Sequence, residues 1–324
     1  MLTRRLALTG GAVLLAVPAR AGGSWEQFLQ GVRVEARRKG ISQATLDRAL
    51  TGIQPIHKLL DFDRHQPEFE LTWASYRSKL FSAARVQEGR RHYLPNRTLL
   101  GEVERRYGVP AATLVGIWGL ESNYGASTGG YRVIECLATL SFEGRRTAFF
   151  RSELLDALRI ANSGDVTPAQ MTGSWAGAMG QTQFMPDSFL KYAVPWRGGR
   201  RDIWDDLGSV FASTANYLAR EGWQPGVPWG ERVQAPAGLS PYDLGRDHRR
   251  AAGEWARVGV RRADGSPLRV PPGTPTALLL PGGAADQSET YVAYYPSFQA
   301  IRRYNPSDFY CICVGLIGDA VVAG

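Results

Sequence analysis

Cysteine is scarce. Cys136, Cys311 and Cys313 are all that 324 residues contain. Three thiols form at most one disulfide and leave at least one free, and they lack the partners and spacing of a metal site. Cys311 and Cys313 alternate within the apolar run "YCICVGLIG", so core packing is the economical role. Whether Cys136 pairs with either of them stays open at this level. No apolar stretch is long enough for a stable membrane span. Internal repeats and low-complexity tracts are missing too. The glycine-rich stretch at 173–189 has neither GK[ST] nor GxGxxG order, which removes a phosphate loop and with it a nucleotide cofactor.

What is present describes a folded, exported chain. Hydrophobic residues make up 44% and charged residues 21%, an ordinary globular balance. The start, "MLTRRLALTGGAVLLAVPARA", has paired arginines, a short apolar middle and an Ala-Arg-Ala ending. That pattern is a secretory leader, 1–21, cleaved before Gly22. The paired arginines leave the general and twin-arginine routes both open, and no cysteine follows for lipid attachment. The formal charge of +8 falls when this segment leaves, but the remainder stays basic. A basic exported protein suits an anionic wall polymer or membrane surface. Export argues against nucleic acid.

The periodicity is mostly helical. Trp25, Phe28, Leu29 and Val32 share a face, and Ser42 is placed to cap "QATLDRAL". Residues 67–93 read as one helix with Trp73, Tyr76, Leu80 and Phe81 on one side. "RTLLGEVERRYG" reads as another that stops at Gly108, with Pro110 opening the next. An aspartate cap precedes "LGSVFASTANYLAREG". From about 225 to 290, Pro- and Gly-rich joints separate short β-like runs. These signals give a mainly α chain with a small β region (α+β). They divide it into a helical region 22–109, a core 110–224, a β-containing insertion 225–290 and a returning helical segment 291–324.

Two stretches carry chemistry. In "IWGLESNYG" (117–125), Glu121 is the one charged residue of an otherwise apolar run from Pro110 to Gly125. On a helix its neighbours are Ile117, Trp118, Tyr124 and Gly125, none of which carries a charge. Desolvation disfavours an ionised carboxyl in such surroundings and keeps a general acid protonated near neutral pH. The second stretch, "GSWAGAMGQTQFMPDSF" (173–189), sets Ser174, Gln181 and Gln183 among small residues, Trp175 and Phe184. Amides, hydroxyls and aromatic faces together suit a sugar. The other acids read as structural: Asp202, Asp205 and Asp206 as caps, and Glu143, Glu153 and Asp156 as an exposed charged face.

"GIWGLESNYG", "YRVIECLATLSFEGRRTAFFRSEL", "GSWAGAMGQTQFMPDSFLKYAV", "TANYLAREGW" and "RYNPSDFY", in that order, resemble the membrane-bound lytic murein transglycosylase B family, of glycoside hydrolase family 103 type. The resemblance runs from about residue 67 to the C-terminus. It implies a lysozyme-like helical core with an accessory helical region and a small β subdomain. It also implies cleavage of the β-1,4 bond between N-acetylmuramic acid and N-acetylglucosamine without water, leaving a 1,6-anhydromuramoyl end. Carried across, Glu121 matches the single catalytic acid/base and Ser174 the serine near it. Gln183, Phe184, Tyr76, Tyr217, Tyr304, Asn305 and Tyr310 match glycan-contacting positions. The implied partners are peptidoglycan strands, with cell-wall synthesis or division proteins as further candidates, in the periplasm. Some relatives carry an EF-hand-like calcium loop where this chain has "YAVPWRGGRRDIWDD"; three arginines and few oxygen ligands there predict no calcium and no metal. A hydrolytic muramidase and a non-catalytic peptidoglycan-binding protein are the alternatives.

Overall fold

Polar side chains set where the helices begin. A computed structural model describes residues 23–64, 71–236, 239–240, 244–283 and 289–323. The leader 1–21 and residues 67–70 of the second helical stretch lie outside the described residues. In it Ser24, Ser42, Thr72, Ser82, Asp206 and Ser307 each accept a bond from a first-turn backbone N–H. These groups would otherwise lack helical partners. The N-terminal helices are α1 (Trp25–Arg38), α2 (Gln43–Leu50), α3 (Lys58–Arg64), α4 (Trp73–Leu80) and α5 (Ala83–Tyr107). Next come α6 (Ala111–Ser122), β1 (Tyr131–Arg132), α7 (Val133–Glu143), α8 (Thr147–Ser163), β2 (Thr172–Gly173), α9 (Pro186–Tyr192) and α10 (Leu207–Arg220).

The single helix expected over 67–93 is two. α4 ends at Leu80, and Ser82 Oγ accepts from the Arg85 N–H to start α5. Conversely, α5 runs through Pro95, where the sequence reads as a break. Pro95 removes one helical donor, and the Asn96 side chain supplies an extra one at the His92 carbonyl (2.9 Å).

The β region holds β3 (Gly230–Gln234), β4 (Arg250–Ala251), the short helix α11 (Ala252–Arg257), β5 (Arg261–Arg262), β6 (Pro275–Leu279) and β7 (Thr290–Tyr294). The strands form one antiparallel sheet in the order β4-β6-β7-β3-β5, with Leu278 opposite Val292. Side chains alternate across a strand, and here both faces are buried. Ala277, Leu279, Tyr291 and Ala293 enter the main core, while Leu278, Val292 and Tyr294 pack on Trp255 and Val260 in a second one. The chain closes with α12 (Ser297–Tyr304) and α13 (Asp308–Val322).

α13 lies along α6 in the most extensive helix pairing of the fold. Two glycines make this possible. A Cβ at Gly116 would stand 2.1 Å from the Val314 carbonyl oxygen, and one at Gly318 would stand 2.1 Å from that of Ala112. The sheet holds α13 from outside: Trp229 lies over Gly315 and its Nε1 donates to Asp319 (3.1 Å). All three cysteines are buried free thiols, which closes the disulfide question.

Candidate active site

α6 ends in a sharp reversal that presents Glu121. Asn123, Tyr124 and Gly125 all adopt left-handed backbone, with φ of 48°, 59° and 87°. For a tyrosine that conformation is strained, and its neighbours hold it there. The Tyr124 hydroxyl donates to the Arg85 carbonyl (3.1 Å), and its ring fills the space beside Gly119. Arg85 Nη1 donates in turn to the Gly119 carbonyl (2.7 Å). Glu121 is thus half-buried on a helix end clamped by α5.

Its partner comes from the far end of the chain. The Tyr310 hydroxyl, on the first turn of α13, donates to Glu121 Oε1 at 2.6 Å. Burial and then the Glu121 charge push the Tyr310 hydroxyl well above its ordinary range, so it stays a donor. Tyr304, at the end of α12, is raised in the same way by burial and by Glu121. Its hydroxyl donates to the Thr182 carbonyl (2.6 Å). Its ring lies 5.6 Å from that of Phe184 and 4.8 Å from that of Tyr217. Tyr217 completes the cluster by donating to the Arg303 carbonyl.

The structure therefore brings together Glu121, Tyr310, Tyr304, Phe184 and Tyr217. Gln183 stands beside them with φ of 51°, its Nε2 donating to the carbonyls of Thr128 (3.1 Å) and Gly180 (2.8 Å). Other expected residues join less directly. Ser174 Oγ accepts from the Ala178 N–H in the β2 turn (3.1 Å). Asn305 accepts from the Ser307 N–H (3.1 Å) and shapes the joint between α12 and α13. Tyr76, on α4, packs against Phe309, 5.6 Å between rings.

Two acidic residues stand elsewhere than expected: Asp205, read as a cap, only donates its N–H to Asp202, and the α10 cap is Asp206 alone. Glu153 is not on an exposed face; it is 5% exposed and accepts from the Asp187 N–H (3.0 Å) at the start of α9. Its helical phase on α8 turns it inward with Leu154 and Ala157. Burial raises its carboxyl above the ordinary 4.5. Asp202 and Asp206 do cap local structure. Sequence reasoning missed Arg85 and Tyr124 as supports; the tight Gly119 beside them was the available signal. Gln181, singled out only as polar, is a buried brace: its Oε1 accepts from Trp118 Nε1 (2.8 Å) and its Nε2 donates to the Trp204 carbonyl (2.7 Å). Among the described residues no three His, Cys, Asp or Glu side chains are grouped to hold a metal, and no helix is long and apolar enough to cross a membrane.

Comparison with known proteins agrees over nearly the whole chain. The transglycosylase SLT domain family matches residues 24–319. Membrane-bound lytic murein transglycosylase B of Escherichia coli is 33% identical over 272 residues, 77% of this chain and 67% of the relative. Among solved structures, SltB3 from Pseudomonas aeruginosa in complex with NAG-NAM-pentapeptide is 42% identical. It superposes with a TM-score of 0.88 over 94% of this chain and 81% of that one. The E. coli lytic transglycosylase Slt35 in complex with calcium is 30% identical, with a TM-score of 0.75 over 92% of both chains.

Proposed function

Because the chain belongs to the transglycosylase SLT family and is a lytic transglycosylase of lysozyme-like fold, we infer that Glu121 is its catalytic acid/base on peptidoglycan strands. The bond cut is the β-1,4 link between N-acetylmuramic acid and N-acetylglucosamine, and the product carries a 1,6-anhydromuramoyl end. The observation that carries this reading is the half-buried Glu121 carboxyl, bonded at 2.6 Å by the Tyr310 hydroxyl and flanked by the ring cluster of Tyr304, Phe184 and Tyr217. In this reading the core 110–224 supplies Glu121, Ser174, Gln183, Phe184 and Tyr217. The segment 291–324 supplies Tyr304, Asn305 and Tyr310, and α4 adds Tyr76. The enzyme works in the periplasm, after export on its leader.

The chemistry needs one carboxyl used twice. Protonated Glu121 gives its proton to the glycosidic oxygen as the C1–O bond breaks. The substrate's N-acetyl oxygen shares the positive charge left at C1. Ionised Glu121 then takes the proton of the C6 hydroxyl while that oxygen closes on C1. No water enters, and the carboxyl ends as it began. Tyr310 steadies the ionised form between the two steps. A hydrolase working with two carboxyls needs a second one beside the sugar, and Glu153 is committed to the start of α9.

Glu121→Gln keeps the size and fold but removes the proton. On purified cell wall it is expected to lower release of anhydro-ended fragments by a factor of about 10² to 10⁴. Mass spectrometry of the wild-type products decides between the chemistries: anhydro ends support transglycosylation, and reducing ends mean hydrolysis. Turnover by Glu121→Gln near that of wild type overturns the assignment.

A further inference from the structure

The short helix α4 has little of its own to hold it in place. Trp73 is its one buried residue, and a joint at Phe81 and Ser82 separates it from α5. What fixes it is a single carboxylate, Glu289, immediately before β7. Glu289 Oε2 accepts from the Trp73 indole Nε1 at 2.8 Å and from the Tyr291 hydroxyl at 3.1 Å. Arg77 Nε stands 3.5 Å from the same oxygen, and Arg232 Nη2, from β3, stands 3.9 Å from Oε1. The Glu289 side chain is only 14% exposed, so water screens these contacts weakly.

Trp73 and Arg77 lie one helical turn apart and share a face. Gripping both therefore sets the rotation of α4 about its axis as well as its place, and Tyr76 takes its direction from that rotation. The Trp73 and Tyr76 rings lie 5.3 Å and 5.6 Å from the ring of Phe309. Phe309 directly precedes Tyr310, the donor to Glu121. A carboxylate at the edge of the small sheet thus decides where α4 presents Tyr76.

We propose that Glu289 is a positioning residue for glycan binding: through Trp73 and Arg77 it fixes α4 so that Tyr76 meets the sugar strand. The proposal rests on the reading of Tyr76 as a glycan contact and of Glu121 as the catalyst. It gives the sheet a part in substrate binding, since Tyr291 of β7 and Arg232 of β3 hold Glu289 from their side.

Steady-state kinetics on purified glycan strands separate positioning from packing, because a contact made equally in the ground and transition states acts on KM and not on kcat. Glu289→Ala is expected to raise KM about tenfold, with kcat within about twofold of wild type. Tyr76→Ala does the same. The double variant raises KM no further than Tyr76→Ala, because the anchor acts through that ring. Glu289→Gln, whose amide oxygen still accepts from Trp73 and Tyr291, recovers most of the loss. Where Glu289→Ala fails to fold, Trp73→Phe keeps the ring contact with Phe309, drops one donor and raises KM about threefold. Isothermal titration with chitotetraose, an N-acetylglucosamine tetramer, reads the anchor without cleavage. A Kd weakened alike by Glu289→Ala and Tyr76→Ala supports it even where wild type cuts no strand, and the catalytic reading alone then fails. An unchanged KM, a fall in kcat at least as large as the rise in KM, losses that multiply in the double variant, or tetramer binding equal in wild type and variants overturns it.

Discussion

Deleting one oxygen atom, by Tyr310→Phe, separates the positioning of Glu121 from its chemistry. The hydroxyl donates to the carboxyl at 2.6 Å and favours its ionised form. A hydrogen bond to a charged group contributes about 1.5–3 kcal/mol, so losing it favours the protonated form. The first step of the proposed reaction needs that proton. The alkaline limb of the kcat/KM profile is therefore expected to move to higher pH in Tyr310→Phe, with a lower maximum because the second step loses its support. A profile that only falls, without moving, would show that the hydroxyl merely packs. Glu121 itself was legible in the sequence, since a lone charge in an apolar run is conspicuous there. Tyr310 was legible only by family resemblance. It lies 189 residues away and begins a run that reads as ordinary core.

At the scale of elements, helix starts were the readable feature, because a cap is a local bond. Ser42 and Asp206 act as expected. Ser82 was missed because the apolar periodicity runs on across it, and the separate helix read from Arg97 is continuous with α5 because a helix can carry a proline at an exposed position, here Pro95. The contact of α6 with α13 was not readable either, since a glycine in an apolar helix does not announce which backbone it meets. Gly116→Ala is expected to cost about 1–3 kcal/mol or more by overpacking, and to lower activity with it by moving α13 and Tyr310. Gly31→Ala on α1, with nothing within 4 Å of the new methyl, is the control and should stabilise by about 0.5–1 kcal/mol. Glu153 offers a test by pH. Burial raises its folded value, so the carboxyl favours the fold fully below its ordinary 4.5, and that stability is lost as pH rises through the folded value. Glu153→Gln still accepts from the Asp187 N–H but never ionises. Its Tm should match wild type near pH 4 and exceed it at pH 7; a lower Tm at pH 7 would show that the charge itself holds α9.

For the whole molecule, composition told that a small sheet follows residue 225 or so, but not its strand order, because order is set by contacts far apart in sequence. Nor did it show that the middle strand β7 takes residues 291–294 from the segment read as returning helix. β7 pairs with both β3 and β6, and their alternating faces join two cores that no single strand reveals. The loop before α10 is tied to the core by an ion pair between Arg201 and Asp165. Slt35 was solved with calcium. In this chain Arg201 bonds Asp165 through Nη2 at 2.6 Å, through Nε and through its backbone N–H, with its guanidinium 4.7 Å from the Phe189 ring centre. Burial opposes the Asp165 charge, but the bonds from Arg201 and Ser163 outweigh it and hold the carboxyl below its ordinary 3.8. That tie is complete above the ordinary value and is lost only as pH falls through the depressed one. A covalently tethered guanidinium thus gives this carboxylate its counter-charge. Arg201→Ala is expected to cost about 1–3 kcal/mol, between the surface and buried cases, and to lower Tm at pH 7 by more than at pH 3. Millimolar calcium or a chelator should leave the wild-type Tm in place. A calcium-dependent rise in Tm that a chelator reverses would mean that the oxygens of this loop gather around an ion despite the arginines.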